Sequence, residues 1–201
     1  MRRKKAIALL AVLIALLASV YSSSVSLTVQ GGLDLPVLGR SYSAAGENAY
    51  LIEDITKIGG GVRIGASYNF TNWIALGGTA GFTYNPVTNG TNRDMGTLMM
   101  TADVIVTPYT RDYDAVAFPI VLSLGGYLQP VDWKAWAGGA MAGLAFGPQF
   151  AITETIRLDV RIGADVLIQF KPSEQILQLV ARPVIVGLTI DFPVRGGGIH
   201  L

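Results

Sequence analysis

Apolar and polar residues alternate one for one in eight stretches of the chain, at about residues 24–37, 58–70, 72–84, 96–108, 116–128, 138–152, 156–171 and 177–193. Successive side chains of a strand point to opposite faces, so each stretch predicts a β-strand with one apolar and one polar face. The seventh is the clearest. Leu158, Val160, Ile162, Ala164, Val166, Ile168 and Phe170 share one face, while Arg157, Asp159, Arg161, Gly163, Asp165, Gln169 and Lys171 share the other. Leu167 is the one apolar residue on that second face. In the second stretch Val62, Ile64, Ala66, Tyr68 and Phe70 oppose Arg63, Gly65, Ser67 and Asn69. The first sets Val25, Leu27, Val29, Leu33 and Leu35 against Ser26, Thr28, Gln30, Gly32 and Asp34.

Strands of about 13 residues exceed the five or six usual in globular sheets, and they suit a tilted bilayer crossing, for which about 9–11 suffice. Beyond the first 20 residues no stretch reaches the roughly 18 consecutive apolar residues of a spanning helix. In lipid only helices and closed barrels satisfy every backbone group internally. The pattern therefore predicts an all-β fold, a closed antiparallel up-and-down transmembrane β-barrel of about eight strands. A barrel of that size has an interior filled by side chains. Gly32, Gly65, Gly77, Gly81, Gly125, Gly143, Gly163 and Gly187, all on polar faces, leave room there for larger neighbours.

The polar faces also carry Arg63, Asp103, Asp159, Arg161 and Asp165. Charge inside a packed barrel must be compensated, so Arg63 and Arg161 are expected to pair with Asp103, Asp159 or Asp165. Arg182 is ambiguous. Counting back from Phe192 puts it on the lipid face, while counting forward from Leu177 and Leu179 puts it in the lumen. Pro183 lies where the counts meet, and proline within a sheet belongs at an edge or a bulge. A closed barrel has no edge, so a bulge at Arg182–Pro183 is expected, with Arg182 turned inward to join the charge cluster. Tyr68, Phe70, Tyr84, Phe118, Phe150, Phe170 and Phe192 fall toward strand ends, where lipid-facing aromatic girdles belong.

Connection lengths orient the barrel. Thr71-Asn72 and Thr153-Glu154-Thr155 are short, and they form an internal repeat: Tyr68, Phe70, Thr71, Ile74 and Leu76 match Phe150, Ile152, Thr153, Ile156 and Leu158. Transmembrane barrels place short turns in the periplasm and longer loops outside. The stretches 38–57, 85–95, 129–137 and 172–176 are then outward loops, with Trp133 and Trp136 as surface-binding candidates.

Arg2, Arg3, Lys4 and Lys5 precede an apolar run from Ala6 to Val20, the form of a secretory signal peptide, with cleavage between 18 and 26. The expected division is a signal peptide at 1–24, the barrel at 25–193 and a short periplasmic tail at 194–201. Without the leader the 15 basic residues fall to 11 against 14 acidic, which leaves no basic face for nucleic acid. There is no cysteine, hence no disulfide framework, thiol catalysis or lipidated cysteine. The one histidine, His200, lies past the last strand, away from any nucleophile. Asp112 and Asp114 share a tight turn without EF-hand spacing. No catalytic residue, cofactor or metal site is expected.

The hairpin Tyr-Asn-Phe-Thr-Asn-Trp-Ile-Ala-Leu at 68–76, its echo at 150–158, and the strand Val186-Gly187-Leu188-Thr189-Ile190-Asp191-Phe192 carry a resemblance to the OmpA, OmpX and OmpW type of small outer-membrane barrel. That resemblance implies an outer-membrane location, the lipid bilayer and the outer-membrane assembly machinery as partners, and a terminal aromatic residue read by that machinery. Here nine residues, Pro193 to Leu201, follow Phe192, a departure from the pattern. The function expected is structural or surface-interaction, with a filled lumen and loops 38–57, 85–95 and 129–137 open to an extracellular ligand. A narrow pore or conduit for small or hydrophobic solutes is the alternative. A soluble lipocalin-like ligand-binding barrel is a further alternative, disfavoured because a lipocalin faces apolar residues inward.

Overall fold

The computed structural model describes residues 24–42, 49–51, 58–71, 73–86, 95–108, 115–132, 135–171 and 174–193. Among these residues eleven strands follow in order: β1 (Ser24–Tyr42), β2 (Ala49–Leu51), β3 (Gly59–Asn69), β4 (Ile74–Asn85), β5 (Met95–Val106), β6 (Val116–Ala117), β7 (Ile120–Asp132), β8 (Ala135–Phe146), β9 (Gln149–Ala151), β10 (Ile156–Lys171) and β11 (Glu174–Pro193). Hydrogen bonding runs β11-β1-β3-β4-β5-β7-β8-β10 and closes through β10–β11, all antiparallel. The wall thus has eight staves, with β6 and β9 as short continuations of β7 and β8.

Both splits fall at prolines. Phe118–Pro119 interrupts β6 and β7, and Gly147–Pro148 interrupts β8 and β9 directly opposite. A proline has no N–H for the ladder. Gly147 sits at φ 156°, and a Cβ there would strike the Val160 carbonyl oxygen. The expected strands 116–128 and 138–152 are therefore each two segments.

The expected loops are also shorter than their composition suggests. β7 and β8 leave only residues 133–134 between them, so the stretch 129–137 is the tip of a hairpin. β1 continues to Tyr42 and pairs β2, while β10 and β11 leave only 172–173. Polar residues read as loop because they end the apolar band, yet the backbone keeps pairing beyond the hydrocarbon. The leader at 1–23, the tail at 194–201, Asp112, Asp114 and Trp133 lie outside the described residues, as do 43–48, 52–57 and 87–94.

The internal repeat is a repeated turn. Thr71 Oγ1 accepts the backbone N–H of Trp73 and Ile74 at 3.1 and 2.9 Å, and Thr153 Oγ1 accepts those of Thr155 and Ile156 at 3.2 and 2.9 Å. In each turn two N–H groups converge on one carbonyl: Phe70 and Thr71 on Ile74, Ile152 and Thr153 on Ile156. Such threonine turns close the backbone locally. They mark one end of the barrel, called the turn side below, where Ser24 and Pro193 also lie.

Facing follows the alternation. The outer surface is apolar, with Met100, Leu124 and Ile64 exposed at 73%, 67% and 63%. A continuous apolar skin of this kind aggregates in water and is stable against lipid. Inside are Arg63, Asp103, Asp159, Arg161, Asp165 and Arg182, all buried. This is the inverse of a lipocalin.

Candidate functional site: the sealed lumen

Along β10 the inward residues follow one another from the turn side as Asp159, Arg161, Gly163, Asp165, Leu167 and Gln169, and each marks a layer of the lumen. Lowest is a polar knot. Asp159, 0% exposed, accepts Arg161 Nη2 at 2.5 Å and Gln149 Nε2 at 2.9 Å on Oδ1, and the Thr189 hydroxyl at 2.6 Å on Oδ2. Next comes a small apolar layer of Val121, Ala145 and Ile185, with Ile105 against it.

The second charged layer lies above it. Asp165, 2% exposed, accepts Arg63 Nη2 at 2.7 Å and Arg182 Nη2 at 2.8 Å, one on each oxygen. Asp34 is buried beside Arg63 and Arg182. Asp103 takes the hydroxyls of Thr79 and Thr101 instead of an arginine. Over this sits an apolar cluster of Met99, Tyr127, Met141 and Leu167. Leu167, the apolar exception on its face, is thus a core residue of the lumen. An amide layer closes the stack, in which Gln129 Nε2 donates to Thr97 Oγ1 at 3.0 Å, with Gln169 and Gln178 buried alongside.

The charged residues expected as one set therefore form two groups with an apolar layer between. Arg63 and Arg182 share Asp165, Arg161 takes Asp159, and Asp103 stands with threonines. Asp34, Gln129, Gln149, Gln178 and Thr189 complete these groups. Alternation places Asp34 on an inward face, and the count forward from Leu177 and Leu179 does the same for Gln178, but nothing in the sequence marks their height. Gln149 follows the Gly147–Pro148 break and carries no signal.

Arg182 faces inward through a bulge. Arg161 pairs Ile185 and Gly163 pairs Arg182, so two residues of β11 stand opposite one of β10. The same slip appears on the other side, where Leu33 pairs Val184 and Leu35 pairs Ala181. Pro183 and Val184 are both outward, with Arg182 and Ile185 inward on either side. The remaining register shifts, at Pro36/Leu38 and Pro130/Asp132, also fall at prolines.

The aromatic residues stand on the outer wall. Tyr68, Phe118, Phe150 and Phe192 are exposed toward the turn side with Trp73, and Phe70 meets Tyr68 edge-on at 4.9 Å. Tyr84 and Phe170 are exposed at the opposite end. Trp136 belongs to β8, paired through its backbone with Pro130.

Cavities respect the layering. One of about 180 Å³ opens at the turn side and reaches inward as far as Arg161 and Thr189. Higher up, spaces of about 20 and 10 Å³ lie among the described residues. No group of three or more metal-ligating side chains occurs among the described residues.

Eight antiparallel staves, closure of the last on the first, an apolar exterior and a packed polar interior decide the architecture. The fold is that of the small outer-membrane β-barrels. Neisserial surface protein A shares it at 16% identity, with 85% of this chain and 97% of that chain covered and a TM-score of 0.57. The Pseudomonas aeruginosa outer-membrane protein OprG aligns at 11% identity over 84% of this chain and 96% of its own, with a TM-score of 0.48. No protein-family model matches the chain, and no curated protein sequence matches it.

Proposed function

We propose that the protein is an integral outer-membrane β-barrel without enzymatic activity, and that its closed lumen makes it a structural or surface-interaction protein rather than a pore. The observation that carries this reading is the unbroken stack across the lumen. Two ion-pair layers and two apolar layers alternate between the turn-side cavity and the amide layer. A cavity needs about 10–15 Å³ to hold one water, so the spaces of about 20 and 10 Å³ take about one each. Spaces of that width give a hydrated ion no path between the described side chains that line them. The outer ends of the staves are the surfaces left for contact with the outside, and lipid covers the wall between the girdles. The assembly machinery would read the last strand through Phe192.

Planar-bilayer recording of the refolded protein tests this. The expected result is a baseline without steady single-channel steps at moderate voltage. Reproducible steps of fixed conductance would overturn the closed lumen in favour of a narrow pore.

A further inference from the structure

We propose that the cavity on the turn side is a binding site for a small oxyanion, with a short-chain carboxylate the best fit. This goes beyond the closed-lumen reading and does not rest on it, since the same groups line the cavity whether or not the lumen above conducts. At about 180 Å³ it is comparable to an engineered cavity of about 150 Å³ that takes benzene. Its wall is mixed. Arg157, Arg161, Ser67 and Thr107 supply polar groups, and Trp73, Ile74, Ala75, Ile105 and Pro119 supply apolar ones.

Hydrogen-bond accounting gives the class of ligand. Several acceptors of the wall are already engaged. Asp191 Oδ1 receives the Ser26 hydroxyl at 2.5 Å, while its Oδ2 is ion-paired with Arg157 Nε at 2.9 Å and takes no hydrogen bond. Gln149 Oε1 accepts Arg157 Nη1 at 3.2 Å, and the hydroxyl oxygens of Ser24 and Ser26 each accept Asn69 Nδ2 at 2.7 Å. Thr71 Oγ1 is held by its own turn.

Donors are in surplus. Arg161 is 7% exposed, directs Nη2 to Asp159, and has a buried Nε–H without a partner. A guanidinium carries five N–H donors, so Arg157 and Arg161 together have more than their recorded partners use. The carboxylate of Asp159, which balances Arg161, is fully buried, outside the cavity wall, with both oxygens engaged, while Asp191 in the wall balances Arg157. A ligand made of acceptors satisfies this excess, and charge-assisted bonds to guanidinium are the strong ones. A neutral polyhydroxy solute would bring hydroxyl donors that find few free acceptors. The apolar part of the wall accommodates a short carbon stem, which favours a carboxylate over bare phosphate.

The test uses the full chain refolded in non-ionic detergent and titrated at constant ionic strength with butyrate, inorganic phosphate and chloride. The Arg161 Nε–H and Trp73 indole N–H resonances report binding. A saturable shift with butyrate, weakened about tenfold (about 1.4 kcal/mol) in Arg157→Gln, is expected, because the charge-assisted bond to the guanidinium is lost. Ala75→Phe, which fills the cavity, should abolish it, and Thr107→Val should weaken it without touching a charge. Saturation by phosphate alone would keep the oxyanion site and reassign its ligand. Non-saturating shifts, or shifts that chloride reproduces, would overturn the proposal, as would unchanged affinity in Arg157→Gln. If no variant folds, the wild-type titration with its chloride control still decides.

Discussion

Removing the Asp165 carboxylate should destabilise the barrel more than any other single change to the lumen charges. It accepts Arg63 at 2.7 Å and Arg182 at 2.8 Å. Deleting one partner of a buried pair costs about 3–5 kcal/mol, because the other charge stays behind uncompensated. Asp165→Ala would orphan two guanidinium groups, whereas Arg63→Met or Arg182→Met leaves Asp165 one partner. Asp34 lies beside both arginines and offsets part of the loss, so the expected cost is about 3–5 kcal/mol rather than twice that. Arg157→Ala breaks a pair whose arginine side chain is 41% exposed, and should cost about 0–1 kcal/mol. Reversible urea unfolding in phosphatidylcholine vesicles, followed by tryptophan fluorescence, measures both. Double-mutant cycles add a sharper criterion. Arg63→Met and Arg182→Met should each couple to Asp165→Ala by about 0.5–3 kcal/mol, while Arg161→Met should add to Asp165→Ala within about 0.5 kcal/mol. Arg161 bonds Asp159, and Val121, Ala145 and Ile185 lie between the two charged layers. A cost below about 1 kcal/mol for Asp165→Ala, or Arg161–Asp165 coupling as large as Arg63–Asp165, would refute the layered lumen.

Val160 faces lipid, so Val160→Arg should cost about 2–4 kcal/mol if it sits near the midplane, read from the same unfolding curves. Glycines should divide by face. At Gly125 an added Cβ collides with the Met100 carbonyl oxygen, so Gly125→Ala should cost about 1–3 kcal/mol. At Gly31 the nearest atom is 3.8 Å away, and Gly31→Ala should be neutral or slightly stabilising. Thr71→Ala and Thr153→Ala should each cost about 1 kcal/mol, and by matching amounts, since each hydroxyl accepts the corresponding pair of backbone N–H groups; a marked difference between them would show that the two turns are not equivalent.

The face of each residue was legible in the sequence, and its height was not. Strand alternation is a local property, so it places Arg63, Asp159, Arg161 and Asp165 inward without further information. Which arginine meets which aspartate depends on the stagger of non-adjacent staves. Arg63 on β3 reaches Asp165 on β10 across the lumen, although no ladder joins those strands. That stagger is set by the closure of all eight staves together. Leu167 illustrates the same division. Its inward position follows from alternation, but its partners Met99, Tyr127 and Met141 come from three other strands. The repeated turns were legible because a threonine turn is complete within four residues. Strand length beyond the apolar band was not, because backbone pairing continues where the hydropathy signal stops.

The bulge at Pro183 shows how one local defect lets a strand serve two interiors. Below it, β11 must send Ile185, Gly187 and Thr189 inward, where Ile185 packs on Val121 and Ala145 and Thr189 bonds Asp159. Above it, the same strand must send Gln178, Val180 and Arg182 inward, where Arg182 meets Asp165. These two sets differ in parity by one residue, and an unbroken strand satisfies only one of them. A strict alternation kept from the lower set would turn Arg182 into lipid, at a cost of about 2–4 kcal/mol near the midplane. A strict alternation kept from the upper set would expose Thr189 and Asp191 and bury Leu188 and Ile190 against the polar knot. One extra residue resolves the conflict. A proline suits that position, since the bulged residue is left out of the ladder and the missing N–H removes a donor that would otherwise need a partner in hydrocarbon. The conflict between the two counts along 177–192 thus had a structural meaning: the irregularity lies where the interior changes from one charged layer to the next.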